Sequence, residues 1–360
     1  MLRVGILGAT GAVGQKFVEL LDGHPQFEIA ALMASERSVG KRYREAANWI
    51  GATEMPDAVG GMEVVPAEPG SAAGALDFVF SGLDSSVAGE IEQAFASSGV
   101  PVISNARNHR MDPAVPLLIP EVNPDHTALV DRQGTPGFIV TNPNCSTVGL
   151  VMALRPLVDA FGVEAVHVVT MQALSGAGYP GVSSLDTLAN VVPFIGGEEE
   201  KMATEPLKLL GTLENGAVRP AEIAISAQCN RVPVLDGHLE CVAVRLGTDA
   251  SPEAVAEVVA SFESPLAGLD LPTAPDRPLR VFTDERFPQP RRHANAGGGM
   301  QVSVGRVRAC PVIGPEGRGF KFVVLSHNTI RGAAGGAILN AELLHAQGRL
   351  TPREAAVSFE

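Results

Sequence analysis

The sequence is 360 residues long, 45% of them hydrophobic and 19% charged, with a formal net charge of −13. Such a composition predicts a folded chain and not a disordered one, and the length suits two domains with a core each. The acidic balance, unbroken by any run of lysine or arginine, argues against nucleic acid or an anionic membrane as partner, since both attract proteins through basic patches. Met1 leads directly into the apolar run LRVGIL and a glycine turn, so no secretory signal is expected. No run of about 18 apolar residues predicts a membrane span. Four cysteines, Cys145, Cys229, Cys241 and Cys310, are too sparse for a disulfide scaffold and form no Cys-x-x-Cys pair, so no metal site is expected and a cytoplasmic location is.

From residue 1 to about 145, short apolar runs alternate with helical patterns. LRVGIL (2–7), EIAALMA (28–34), MEVVP (62–66), LDFVFS (76–81), PVIS (101–104) and FIVT (138–141) read as strands. Several are apolar at every position, as strands buried on both faces of a parallel sheet are. Between them, 85–98 spaces Val87, Ile91, Ala94 and Phe95 as on a helix, with Asp84 and Ser85 as caps and Gly99 as a stop. This series predicts an α/β fold with a Rossmann-like, doubly wound parallel sheet over 1–145.

The rhythm changes after a helix that begins near Ser146. VEAVHVVTMQAL, AEIAISAQCN, HLECVAVRL, MQVSVGRVRA and GFKFVVLSHN are longer, partly alternating runs, and SPEAVAEVVASF (251–262) reads as a helix with proline at its first position. Long strands with few helices between them predict an α+β domain over 146–328, with a mainly antiparallel sheet covered on one face. The segments 175–183, 264–278 and 285–299 read as loops. An alanine-rich final helix from 329 is expected to pack back on the first domain, completing it with the segment 329–360, whose polar tail begins near 346.

GATGAVG places Gly8, Gly11 and Gly14 directly after the first strand and at the opening of a helix. Glycines there allow a tight turn and let backbone N–H groups approach a pyrophosphate at the helix N-terminus. The spacing is G-x-x-G-x-x-G, not the usual G-x-G-x-x-G, and a plain strand-to-helix turn is the bland alternative. Its place at the first βα junction favours a dinucleotide, with Gly8, Thr10, Gly11, Ala12 and Val13 as its contacts. At the end of the second strand, ASERSVGK offers Ser35, Arg37, Ser38 and Lys41, which suit a 2′-phosphate and hence NADP(H); Glu36 keeps NAD as the alternative.

TNPNCSTVGL sets Cys145 between a proline turn and a helix start. A helix N-terminus favours a thiolate, whereas burial as a small hydrophobe is the ordinary state and is expected of Cys229, Cys241 and Cys310. A thiolate nucleophile needs a proton acceptor. His238, in CNRVPVLDGHLE, is a candidate, and Arg231 lies seven residues before it.

TNPNCST, MQALSGAGYPGV, EEEKM, CNRVPVLDGHLE and HNTIRGAAG, in this order behind GATGAVG, resemble the aspartate-β-semialdehyde dehydrogenase family, in its archaeal and fungal branch. The resemblance runs from the first strand to the final helix. It implies that Cys145 is the acylated nucleophile, His238 the acid/base, and Gln172 the amide that orients the thioester. By the same resemblance Asn144 neighbours the acyl group, Arg231 grips the substrate α-carboxylate, Glu198 meets its ammonium, and Lys201 and Arg110 bind phosphate. Asn328 would contact the nicotinamide side, with Ser175 and Gly176 closing over the cofactor. The implied reaction is the reduction of β-aspartyl phosphate to aspartate semialdehyde with NADPH, through a cysteine thioester, in a homodimer or homotetramer built on the second domain. A malonyl- or succinyl-CoA reductase on the same scaffold is the alternative, although a CoA thioester offers no α-ammonium for Glu198. A non-catalytic NADP-binding sensor would leave Cys145, Gln172, Arg231 and His238 without a role.

Overall fold

The computed structural model describes residues 1–353. The first sheet is formed by β1 (Leu2–Leu7), β2 (Phe27–Ala34), β3 (Val64–Pro66), β4 (Phe78–Ser81), β5 (Val102–Ser104) and β6 (Ile139–Thr141). All pairs are parallel, in the order β3-β2-β1-β4-β5-β6. The chain runs outward from β1 to β3 and then returns to start again at β4, so the C-terminal ends of β1 and β4 flank a switch point. Every residue of β4, β5 and β6 is buried, which explains why each is apolar up to a final serine or threonine. The helix Ser85–Ser97 starts where expected, with Asp84 accepting from the Ser86 N–H at 2.9 Å.

The second sheet consists of β7 (Val163–Gln172), β10 (Ala224–Arg231), β11 (His238–Leu246), β12 (Leu279–Phe282), β13 (Val302–Ala309) and β14 (Gly319–Ser326); β8 (Thr212–Glu214) and β9 (Ala217–Arg219) form a separate hairpin. Its order is β10-β7-β11-β14-β13-β12, and it is mixed: β7–β11, β11–β14 and β13–β14 pair antiparallel, β10–β7 and β12–β13 parallel. The long crossover from β7 to β10, which carries the helix Glu198–Leu209, is what permits a parallel pair. One face of this sheet packs under the helix Cys145–Phe161. On the other face the strand alternation exposes Cys241, so the expected burial holds for Cys229 and Cys310 but not for Cys241. The 285–299 loop also contains two short turns, Pro290–His293 and Ala296–Gly299; a Cβ on Gly299, at φ +86°, would lie 2.8 Å from the Ile330 side chain.

After β14 the chain makes a π-helical turn, Ile330–Ala334, and then the helix Gly335–Ala346. Residues 335–344 of that helix are buried all round, and Ala337, Ile338 and Leu343 share a core with Val4, Ile6 and Phe80 of the first sheet. A helix enclosed on every side shows no amphipathic stripe, which is why its sequence reads as uniform alanine and leucine. The expected segment 329–360 is therefore helical only to Ala346, and its last seven residues, 354–360, lie outside the described residues.

Candidate active site

The glycine turn follows β1. Gly8 takes φ +75°, and a Cβ on it would lie 2.9 Å from the Gly82 carbonyl oxygen at the end of β4, so the switch point closes only around glycine. The helix Ala12–Leu21 has Gly11 as N-cap with no side-chain hydrogen bond, leaving its first N–H groups open to an anion. One strand over, at the end of β2, Ser35 and Arg37 are exposed and Ser38 is buried; Glu36 is exposed too.

Cys145 is the first residue of its helix, one earlier than expected. The Asn144 side-chain oxygen caps that helix, accepting from the N–H groups of Ser146 at 3.0 Å and Thr147 at 3.3 Å. The other side of Cys145 meets Gly332 in the π-helical turn, where a Cβ would stand 2.8 Å from both Cys145 Cα and Cβ. The sulfur opens partly onto a cavity. Burial, reinforced by the Glu198 carboxylate, nonetheless pushes the thiol up to about 12. The helix start does not prevail over desolvation.

Arg231 pairs in register with Gln172, and His238 with Ser326, at one end of the second sheet. His238 Nε2 lies 3.2 Å from Cys145 Sγ, and its Nδ1 accepts from the Ala173 N–H at 3.0 Å. Burial and then the Arg231 charge push His238 down to about 3, against an opposing pull from Glu198. Arg231 donates to the Ala173 carbonyl at 2.6 Å.

The helix Glu198–Leu209 sorts its three leading glutamates by direction. Glu198 is buried, whereas Glu199 and Glu200 are exposed. Burial works to raise the Glu198 carboxyl, but Lys201 at 2.6 Å and the amides of Asn144 and Gln172 outweigh it and hold the pKa below its ordinary value. Arg110, also buried, is aimed by Glu205 at 2.8 Å; the same carboxylate accepts from the Asn144 backbone N–H at 2.7 Å. Lys208 secures the loop that carries Arg110 by donating to the carbonyls of Arg110, Asp112 and Val115 at 2.7–2.8 Å.

A cavity of about 370 Å³ joins these parts. Ala12, Val13, Arg110, Asn144, Cys145, Ser175, Gly176, Glu198, Lys201 and Asn328 all line it. Asn328 donates to Ser175 Oγ at 2.8 Å and accepts from the Gly237 N–H at 2.9 Å. Gln172, Arg231 and His238 stand behind that lining, linked to it through Glu198, Gly176 and Cys145. Gly8, Thr10 and Gly11 form the turn beside it, while Ser35, Arg37 and Ser38 lie apart, at the end of β2. Arg107, Asn105 and Gly332 line the cavity without having been expected there. Arg107, three residues before Arg110, was legible as a cation; Gly332 carried no signal, because a glycine announces its neighbour only once folded. Among the described residues no group of three or more His, Cys, Asp or Glu side chains could hold a metal ion, and no helix is long and apolar enough to cross a membrane.

Residues 3–130 match the semialdehyde dehydrogenase NAD-binding domain family, and residues 154–331 the semialdehyde dehydrogenase dimerisation domain family. The aspartate-semialdehyde dehydrogenase of Methanothermobacter thermautotrophicus is 50% identical over 353 residues, covering 96% of this chain and 99% of its own. That of Schizosaccharomyces pombe is 47% identical over 358 residues, covering 96% and 98%. The crystal structure of the Candida albicans enzyme with NADP superposes with a TM-score of 0.88 at 43% identity, covering 97% of this chain and 99% of that one. An enzyme of Vibrio cholerae, aspartate semialdehyde dehydrogenase II complexed with ASA, gives a TM-score of 0.76 at 28% identity over 96% and 98% of the two chains. With a cysteine and a histidine facing one another beside a dinucleotide turn, and this likeness along its whole length, the chain belongs to the aspartate-semialdehyde dehydrogenase family.

Proposed function

We propose that the chain interconverts β-aspartyl phosphate and aspartate semialdehyde, with NADP(H) as cofactor and a thioester on Cys145. The observation that carries this reading is the pair Cys145 Sγ and His238 Nε2, 3.2 Å apart, on a cavity that also reaches the glycine turn. Cys145 attacks the acyl carbon, and phosphate departs toward Lys201 and Arg110. Arg231 takes the α-carboxylate, and Glu198, held as a carboxylate, meets the α-ammonium. Gln172 orients the acyl oxygen, and His238 attends to the proton balance of that oxygen as the aldehyde leaves. NADPH, when bound, supplies the hydride. Gly8, Thr10, Gly11, Ala12 and Val13 would hold its pyrophosphate, a fit supported by the uncapped helix start and the cramped Gly8. Ser35, Arg37 and Ser38 would take the 2′-phosphate, and Ser175, Gly176 and Asn328 the nicotinamide end.

In the same proposal, residues 1–145 with the segment from 329 form the cofactor domain and 146–328 the catalytic and dimerisation domain. Two copies associate through the open face of the second sheet, where Val169, Cys241 and Val323 stand side by side in register. With aspartate semialdehyde, phosphate and NADP, NADPH absorbance is expected to rise, and Cys145→Ala to abolish the rise. Turnover of malonyl-CoA with NADPH, and none of the semialdehyde, would replace this reading by the acyl-CoA one.

A further inference from the structure

Arg107, Arg110 and Lys201 line the cavity as cations, and the proposed reaction uses only the last two. Both of those are already engaged. Arg110 pairs with Glu205 at 2.8 Å and Lys201 with Glu198 at 2.6 Å, so these positive charges are compensated before any substrate arrives. The Arg107 guanidinium differs: it is exposed, and among the described residues it forms no ion pair and donates no hydrogen bond. Asp84, the other acid on the lining, accepts from the Ser86 N–H at 2.9 Å and feels Arg107 only at longer range.

The main chain of Arg107, by contrast, is fixed. On one side the Ala106 N–H donates to Ser104 Oγ at 2.9 Å; on the other the Asn108 side chain donates to the Ser85 carbonyl at 2.9 Å. The Arg110 N–H closes a turn on the Arg107 carbonyl at 3.2 Å, so both arginines project from one turn. Across the cavity, a Cβ on Gly197 would have Arg107 Nη1 as its nearest neighbour, at 3.9 Å. Gly197 directly precedes the helix that carries Glu198 and Lys201. The free guanidinium therefore reaches from the turn of one phosphate cation to the helix of the other.

The substrate's charges show what is missing. Arg231 matches the α-carboxylate and Glu198 the ammonium, which leaves a phosphate dianion facing two cations that carboxylates already neutralise. A chain of net charge −13 also repels an anion at a distance. An unpaired guanidinium at the rim offsets both effects, and its planar fork suits phosphate oxygens. Resting on the acyl-phosphate reading, we infer that Arg107 is a third phosphate-binding residue, which supplies the uncompensated positive charge and so selects a dianionic phosphoryl group.

The test compares the full-length parent, Arg107→Ala and Arg107→Lys in the oxidation of aspartate semialdehyde, varying phosphate, NADP and semialdehyde in turn. Arg107→Ala is expected to raise the phosphate KM about tenfold or more, as loss of a hydrogen bond to a charged group does, with the other two KM values within about twofold of the parent. Arg107→Lys keeps the charge and should fall between the two. Added KCl should raise the parent's phosphate KM more steeply than that of Arg107→Ala. An unchanged phosphate KM, or a lysine variant as impaired as the alanine one, overturns the inference. So does a rise confined to the NADP KM, which would assign Arg107 to the cofactor's pyrophosphate. A second readout needs no turnover: calorimetric titration with inorganic phosphate alone, in which Arg107→Ala should bind more weakly. Equal affinities, or a parent that binds no phosphate, overturn it. A parent that binds phosphate through Arg107 yet oxidises no semialdehyde would reject the acyl-phosphate reading and leave the Arg107 site standing.

Discussion

Glu240 lies two residues along β11 from His238, fully enclosed, with neither carboxyl oxygen partnered among the described residues. Burial raises its pKa well above the ordinary value. Neutral in the fold and ionised in the unfolded chain at neutral pH, it takes up a proton on folding. Its penalty is absent below the unfolded carboxylate range and grows as pH rises, by up to about 1.4 kcal/mol per unit. Glu240→Gln is therefore expected to gain stability relative to the parent between about pH 5 and pH 8, read from urea unfolding at several pH values. A difference that stays constant with pH would contradict the neutral carboxyl. At the other end of the site, Arg37→Ala is expected to shrink the preference for NADP over NAD about tenfold or more, because a hydrogen bond to a charged group is worth about 1.5–3 kcal/mol. Steady-state rates with the two cofactors check this, and equal rates in the parent would reject the 2′-phosphate site.

At the scale of elements, the site depends on how the chain returns after β14. The π-helical turn brings Gly332 against the Cys145 backbone, and the Asn142 side chain donates to the Gly332 carbonyl at 3.3 Å. Arg331 in the same turn forms a fully buried bidentate pair with Glu121 at 2.6 and 2.7 Å, fastening the turn to the loop before β6. Gly332→Ala has no room for its methyl group. Overpacking of this kind costs about 1–3 kcal/mol, so a melting temperature lowered by a few degrees and a reduced kcat are expected. Calorimetry and the NADPH assay together check it, and an unchanged kcat would mean that Cys145 tolerates displacement.

At the scale of the whole molecule, the cavity is a seam. The first sheet contributes the glycine turn, the helix from Cys145 contributes the thiol, and the returning C-terminal segment contributes Asn328 and Gly332. The second sheet backs that seam with Gln172, Arg231 and His238 at one end and leaves one of its faces uncovered. In the register Val169–Cys241–Val323 that side is exposed or half-buried and largely apolar. Val323→Arg would set a cation in the middle of the proposed dimer contact. Its apparent mass in light scattering is expected to fall to that of one chain at micromolar concentration; an unchanged mass would place the interface elsewhere.

Much of this was legible along the chain. Strands such as FVFS, three of whose four residues are apolar, are buried throughout because both faces are covered, and Asp84 and Ser251 cap their helices as local chemistry dictates. Short-range rules of this kind act between residues a few positions apart, so the first domain, the glycine turn and the helix start at Cys145 could be read directly. The pairing of β10 with β7, the exposure of Cys241 and the enclosure of Glu240 depend on strands brought together from distant positions, and no local pattern encodes them. The same holds for the thiol. A helix start alone favours its anion, but the folded surroundings of Glu198 and protein on most sides reverse that preference. Residue order brought the helix start to Cys145; only the packed structure, through burial of the sulfur beside Glu198, decided that its thiol is raised and not lowered.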